Sequence, residues 1–119
     1  MHSGERLPAV SLDTPMDAAI LEMTSKGFGC TAVVDGSGQL QGIITDGDLR
    51  RHMAAGLLAE RAGTVMTRGP RTIAPDALLT EALKRMTTET PKISAIFVVE
   101  AGRPVGIVHL HDCLRVGLI

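Results

Sequence analysis

Apolar and polar positions run through one order twice along the chain. Met16, Ala19, Ile20 and Met23 share a helical spacing, and Leu79, Ala82, Leu83 and Met86 repeat it 63 positions on. Apolar residues at i, i+3, i+4 and i+7 mark the buried face of an amphipathic helix. Each stripe is followed by a short apolar run, Cys30 to Val34 and then Ala95 to Glu100, which predicts a strand. A turn and a second run come next, Leu40 to Thr45 and Pro104 to Val108, and complete a predicted hairpin. Asp35-Gly36-Ser37-Gly38 supplies the turn residues of the first hairpin.

Shorter signals fill in each half. Leu7 to Ser11 and Arg71 to Ile73 are predicted to be extended. Thr14-Pro15-Met16-Asp17 predicts a helix start, with Thr14 as N-cap and Pro15 at the first helical position. That helix should run to about Lys26, with Gly27 as its left-handed exit. Asp46 predicts a helix to about Ala55, Asp76 one to about Thr88, and His111 one to about Leu118. Gly42 is placed for close backbone approach or a bulge. Each unit is therefore strand, helix, hairpin, helix, and the expected class is α+β.

The repeat extends to motifs. Gly42-Ile43-Ile44-Thr45-Asp46-Gly47-Asp48-Leu49 returns as Gly106-Ile107-Val108-His109-Leu110-His111-Asp112-Cys113-Leu114. Met66-Thr67-Arg68-Gly69 matches Met1-His2-Ser3-Gly4. The offset moves from 63 to 65 and then to 64, and the changes fall in loops. Two copies imply a pseudo-symmetric pair rather than a solenoid, with one repeat over residues 1–58 and the other over 59–119. Because Met1 occupies a repeat position, the chain is expected to be a fragment of a longer protein.

Composition narrows the class. The chain has 119 residues, and half of that is marginal alone, so the halves are expected to share a core. A net charge of -1, no Trp, no Tyr and two Phe argue against a basic, aromatic nucleic-acid surface. No apolar run approaches the ~18–20 residues of a membrane span. The polar opening Met-His-Ser-Gly-Glu-Arg is no signal peptide. The expected location is the cytoplasm, with Cys30 and Cys113 as free thiols.

The junction after Leu40–Thr45 is the richest place for chemistry. Thr45 offers a hydroxyl before a helix start, where free N–H groups favour anions. Asp48 is placed in the first turn, where a carboxylate accepts two adjacent ribose hydroxyls, and Gly47 leaves room between them. The competing reading makes Asp46 and Asp48 helix-capping acids and Thr45 the end of a strand. Arg50, and Arg71 beside Gly69 and Pro70, are anion contacts or surface residues; an Asp46–Arg50 pair along the helix is the plain alternative. His109-x-His111-Asp112 has metal-ligand residue types but no further ligand cluster, so no metal is expected. His109, His111 and Asp112 are placed instead at a ligand cleft or an interface. No nucleophile, base and orienter fall together, so no catalytic residue is assigned.

With these motifs in view, the chain resembles CBS domains. Gly-Ile-Ile-Thr-Asp-Gly-Asp-Leu and Val-Met-Thr before an extended segment carry the resemblance, which spans essentially the whole chain. It implies a tandem CBS pair, or Bateman module: two β-α-β-β-α units packed with pseudo-two-fold symmetry, with clefts for adenine nucleotides or related ligands. The resemblance assigns Thr45 to phosphate and Asp48 to ribose; Asp112 matches the Asp, whereas His109 replaces the Thr of the second copy. Met-His-Ser-Gly, Thr-Asp-Gly-Asp-Leu-Arg-Arg and His-Leu-His-Asp-Cys-Leu-Arg-Val-Gly are similar to the C-terminal region of the arabinose-5-phosphate isomerase family. That resemblance implies a sugar isomerase (SIS) domain in the parent chain, acting in synthesis of the lipopolysaccharide sugar Kdo. The expected function is a regulatory module with a nucleotide or nucleotide-sugar effector, AMP/ATP-like or CMP-Kdo. No cofactor is expected. Self-association to a dimer or higher is expected, through faces bearing Leu57, Leu58, Leu114 and the apolar C-terminal residues. The alternative is a purely structural oligomerisation module.

Overall fold

In the computed structural model, which describes residues 4–88 and 93–110, the chain builds two small mixed sheets with helices, an α+β arrangement. The first unit covers residues 8–70. Strand β1 (Ala9–Ser11) runs parallel to β2 (Cys30–Val34), and α1 (Met16–Lys26) crosses between them. Strand β3 (Leu40–Thr45) returns antiparallel to β2, and α2 (Asp46–Arg51) begins at the next residue. A 3-10 turn at Leu57–Ala59 and α3 (Ala62–Val65) lead to β4 (Thr67–Arg68), which pairs antiparallel with β3 and completes the order β1-β2-β3-β4.

The second unit groups residues 4–7 with the chain from Arg71 onward. Strand β5 (Thr72–Ile73) runs parallel to β6 (Ala95–Glu100), with α4 (Leu79–Thr87) between them, and β7 (Arg103–His109) returns antiparallel. The expected helix from His111 to Leu118 lies outside the described residues.

The register of the two hairpins repeats in detail. Cys30 faces Thr45 and Ala95 faces His109; Val33 faces Gly42 and Val98 faces Gly106. A register shift falls between Val33 and Val34, and again between Val98 and Val99. The parallel partners are Ala9 with Ala32, then Thr72 with Phe97. The offset is thus 63 from β1 to β5, 65 from β2 to β6 and 64 from β3 to β7, the drift read from the sequence. The turns absorb the difference. The first spans Asp35 to Gln39, closed by the Asp35 carboxylate, which accepts from the Ser37 and Gln39 amides. The second is Ala101-Gly102, both left-handed, the two-residue form that fits strand twist.

The helical stripes point inward as their spacing predicts. Met16, Ala19 and Met23 are buried against Val33, Ile44, Ala62, Val65 and Met66, and Ala82 and Met86 against Ile73, Ile96, Val98 and Val108. Met53, outside both stripes, is 70% exposed. Gly27 ends α1 in the left-handed region, its N–H donating to the Met23 carbonyl.

Helix starts differ from the sequence reading. Pro15, not Thr14, occupies the N-cap of α1, because the Thr14 hydroxyl is engaged with the Ser11 amide and hydroxyl. Helix α4 starts at Leu79, well after Asp76, with no side-chain cap. Helix α2 stops at Arg51 instead of reaching Ala55. The sequence repeat divides between residues 58 and 59, whereas the compact units divide between Pro70 and Arg71. Residues 59–70 are fastened to the first unit by backbone bonds: the Met16 amide to the Glu60 carbonyl, Ala62 to Thr14 and Gly63 to Leu12. At Gly42, a Cβ would lie 2.6 Å from the Thr67 carbonyl oxygen and 2.8 Å from the Met66 sulfur, so the close backbone approach expected there is present.

Candidate functional site

Strand β3 ends and α2 begins without an intervening loop, and this junction assembles the site. Thr45 is extended and forms the N-cap of α2; its hydroxyl accepts from the Asp48 amide at 3.3 Å. Asp48 reciprocates: its Oδ2 accepts from the Thr45 amide at 2.9 Å and from the Thr45 hydroxyl at 3.1 Å. This is a capping box with Asp in the place usually held by Glu or Gln. Oδ1 accepts from the Thr67 hydroxyl at 2.5 Å and from the Arg51 guanidinium. An ionised carboxylate has about four lone-pair sites, and four donors meet it here.

Asp48 is buried, with 2% of its surface exposed. Burial alone would raise its pKa, but the hydrogen bonds from Thr67, the Thr45 amide, Arg51 and the Thr45 hydroxyl outweigh it and hold the carboxyl below its usual range. The carboxylate is therefore charged at neutral pH. Opposite Thr45 in the strand pairing, Cys30 begins β2, a buried free thiol pushed up to about 12 by burial and by the nearby Asp46 carboxylate. A thiol so raised is an inert packing group.

Gly47 supplies the space expected of it. The position a Cβ would take lies 3.4 Å from Arg51 Nη1, 3.5 Å from the Thr45 hydroxyl and 3.8 Å from Arg50 Nη2. Both guanidinium groups thus fold back over the first turn of α2. No ion pair joins Asp46 and Arg50 among the described residues, so the plain alternative offered for Arg50 does not form.

The remaining sequence-named residues lie elsewhere or outside the described set. His109 ends β7, half-buried, at the register position that Thr45 holds in β3. His111 and Asp112 lie outside the described residues. Arg71 donates through Nη1 to the Arg85 carbonyl at 2.8 Å, within the second unit. The geometry thus joins Thr45, Asp48 and Arg50 around Gly47. Sequence reasoning missed Arg51 and Thr67 as partners of Asp48. Arg51 had a legible signal, its i,i+3 spacing from Asp48. Thr67 had none, because only the β3–β4 pairing brings it near. Among the described residues no group of three or more His, Cys, Asp or Glu could hold a metal, and no helix is long and apolar enough to cross a membrane.

The sequence model of the family described as CBS domain matches residues 4–55 and 62–118. A protein named arabinose 5-phosphate isomerase KdsD, from Pseudomonas aeruginosa, is 47% identical over 122 residues, which cover 100% of this chain and 37% of that protein. The protein of the same name from Yersinia pestis is 40% identical, covering 100% of this chain and 36% of its own. The chain therefore spans little more than a third of these relatives. Among solved structures, CBSX2, a CBS-pair protein of Arabidopsis thaliana crystallised in complex with AMP, superposes with a TM-score of 0.80 at 24% identity, covering 99% of this chain and 92% of that one. At that identity the likeness establishes the fold.

Proposed function

The chain belongs to the CBS domain family, and from that premise we propose that it is a regulatory pair that senses a nucleotide or nucleotide-sugar. One observation carries the reading. A buried, charged carboxylate and a hydroxyl meet at the β3–α2 junction, with two guanidinium groups folded over Gly47 between them. Asp48 would accept a ligand hydroxyl where one of its present donors gives way, the Thr45 hydroxyl would turn from Asp48 to an anion, and Arg50 would bring a guanidinium to the same anion. His109, His111 and Asp112 hold the corresponding sequence positions of the second copy, where His109 in place of the Thr either removes that site or gives it a different ligand preference. Arg71 serves as a further anion contact in the loop that opens the second copy.

The likeness to KdsD proteins supports placing the pair after a D-arabinose 5-phosphate isomerase domain of the SIS type, whose activity it would modulate in the cytoplasm. Pathway logic then favours CMP-Kdo, an end product, as the feedback effector, with AMP or ATP as the family alternatives. The pair would also self-associate, and Leu58, 58% exposed in the first unit, is available to such an interface.

A purely structural module is the second reading. Its specific support is that Asp48 already has four protein donors, so contacts within the protein account for its charge without a ligand.

Thermal denaturation against AMP, ADP, ATP, CMP and CMP-Kdo separates the two. A ligand at 100 times its dissociation constant adds about 2.7 kcal/mol to stability. The sensing reading expects one probe to raise the midpoint and its 2′-deoxy counterpart to do so far less. The deoxy comparison tests the carboxylate contact without disturbing the cap. No shift with any probe overturns sensing in favour of the structural module.

A further inference from the structure

Asp48 has no acceptor capacity left over, so a ligand hydroxyl can reach it only by replacing one of its present donors. The four are not held equally. Two come from Thr45, whose amide and hydroxyl form the cap that starts α2. The third is the short Thr67 side chain, fixed on β4 by pairing with β3. The fourth is Arg51, on a long side chain 64% exposed, in an i,i+3 pair. The carboxylate end of the pair is buried, but the guanidinium end lies in solvent, where ordering a flexible arginine offsets part of the Coulomb gain.

The surroundings say where a displaced guanidinium would go. Arg51 Nη1 and Arg50 Nη2 both lie beside Gly47, and the Arg50 side chain makes no hydrogen bond or ion pair among the described residues. Of the two guanidinium groups there, only Arg51 is paired with the carboxylate. Once Arg51 leaves Asp48, both are free for an anion at Gly47, a short movement away.

We propose that Arg51 is an exchangeable placeholder on Asp48: a ligand hydroxyl displaces its guanidinium, which then pairs with the anionic group of the same ligand. The inference rests on the sensing role proposed for this junction and adds a selection rule to it. Ligands that carry both a hydroxyl donor and an anion, such as sugar phosphates and ribonucleotides, gain from the exchange. A neutral nucleoside displaces Arg51 and gives it nothing in return.

Calorimetric titration of the wild-type chain and Arg51→Met with AMP, adenosine, CMP and cytidine tests this. The placeholder predicts that Arg51→Met binds nucleoside at least as tightly as wild type, while its preference for nucleotide over nucleoside falls about tenfold or more. Arg51→Lys, which keeps the charge, should restore part of that preference. An unchanged preference, or equal weakening of both ligand types, overturns the inference and leaves the sensing role standing. Binding of no probe by either chain overturns the sensing role and this inference with it. A ligand-free control is built in: Arg51→Met should melt within about 3 °C of wild type. A loss as large as that of Thr67→Val would mark Arg51 as a fixed prop and also overturn the proposal.

Discussion

Asp48 has left water almost completely, and the donors around it hold its charge there. Three of them come from threonine or backbone groups that also start a helix and fasten a strand. The folded carboxyl therefore titrates lower than in the unfolded chain, where its value is about 3.9. A depressed folded value contributes stability above the unfolded pKa, and the contribution is lost as pH falls through the folded one. Asp48→Asn should accordingly lower stability by about 1.5–3 kcal/mol at pH 7, since the amide turns a donor toward the Thr67 and Arg51 donors. The gap between wild type and variant should narrow steadily as pH falls below about 4. Urea midpoints from pH 7 to pH 2.5 measure it, and parallel curves would show that the charge of Asp48 does not matter to folding. The pairing of Thr45 with Asp48 was legible because a cap and its reciprocal acid sit three residues apart in any sequence. The identity of the outer donors was not, since neither helix periodicity nor strand alternation reports what a neighbouring strand brings.

At the scale of elements, the hairpins carry the pattern most faithfully. Strand β2 and strand β3 have the bounds that their apolar runs predict, and β6 does as well. Continuous β-branched runs with turn residues between them leave little else for the backbone to do. Helix starts were less legible. The Thr14 hydroxyl has two possible tasks, capping a helix or closing a turn, and the local competition with Ser11 decides it. Strand β4 was not legible as part of the first sheet, because two residues carry no alternation to read. Its docking depends on Gly42, where a side chain would collide with the Thr67 carbonyl and Met66. Backbone cannot yield there as a flexible side-chain end can. Gly42→Ala should cost about 1–3 kcal/mol and speed amide exchange along Thr67–Arg68, while β2–β3 exchange changes little. Equal protection in both proteins would mean that β4 is held by something other than its fit against Gly42.

At the scale of the whole chain, the repeat specifies register but not where one compact unit ends. Offsets of 63, 65 and 64 were readable because strands and helices keep their length while turns change theirs. The unit boundary was not readable, because the chain that opens the second copy is consumed by the first unit's core. Ala62, Val65 and Met66 are buried with Met16, Val33 and Ile44, and Thr67 reaches back to Asp48. Three backbone hydrogen bonds then lock residues 60–63 against residues 12–16. A fragment covering residues 1–58 forfeits all of these together, opening the core on one side and leaving Asp48 buried with fewer donors. A fragment covering 8–70 keeps them. Although a chain of this size is marginal in stability, the 8–70 fragment should unfold in a cooperative transition, whereas 1–58 should show little fixed tertiary structure. Amide dispersion in two-dimensional NMR, with denaturant titration of both fragments, decides between them. If 1–58 proved the better folded, the sequence repeat would be the folding unit, and residues 59–70 a strap added to a core already complete.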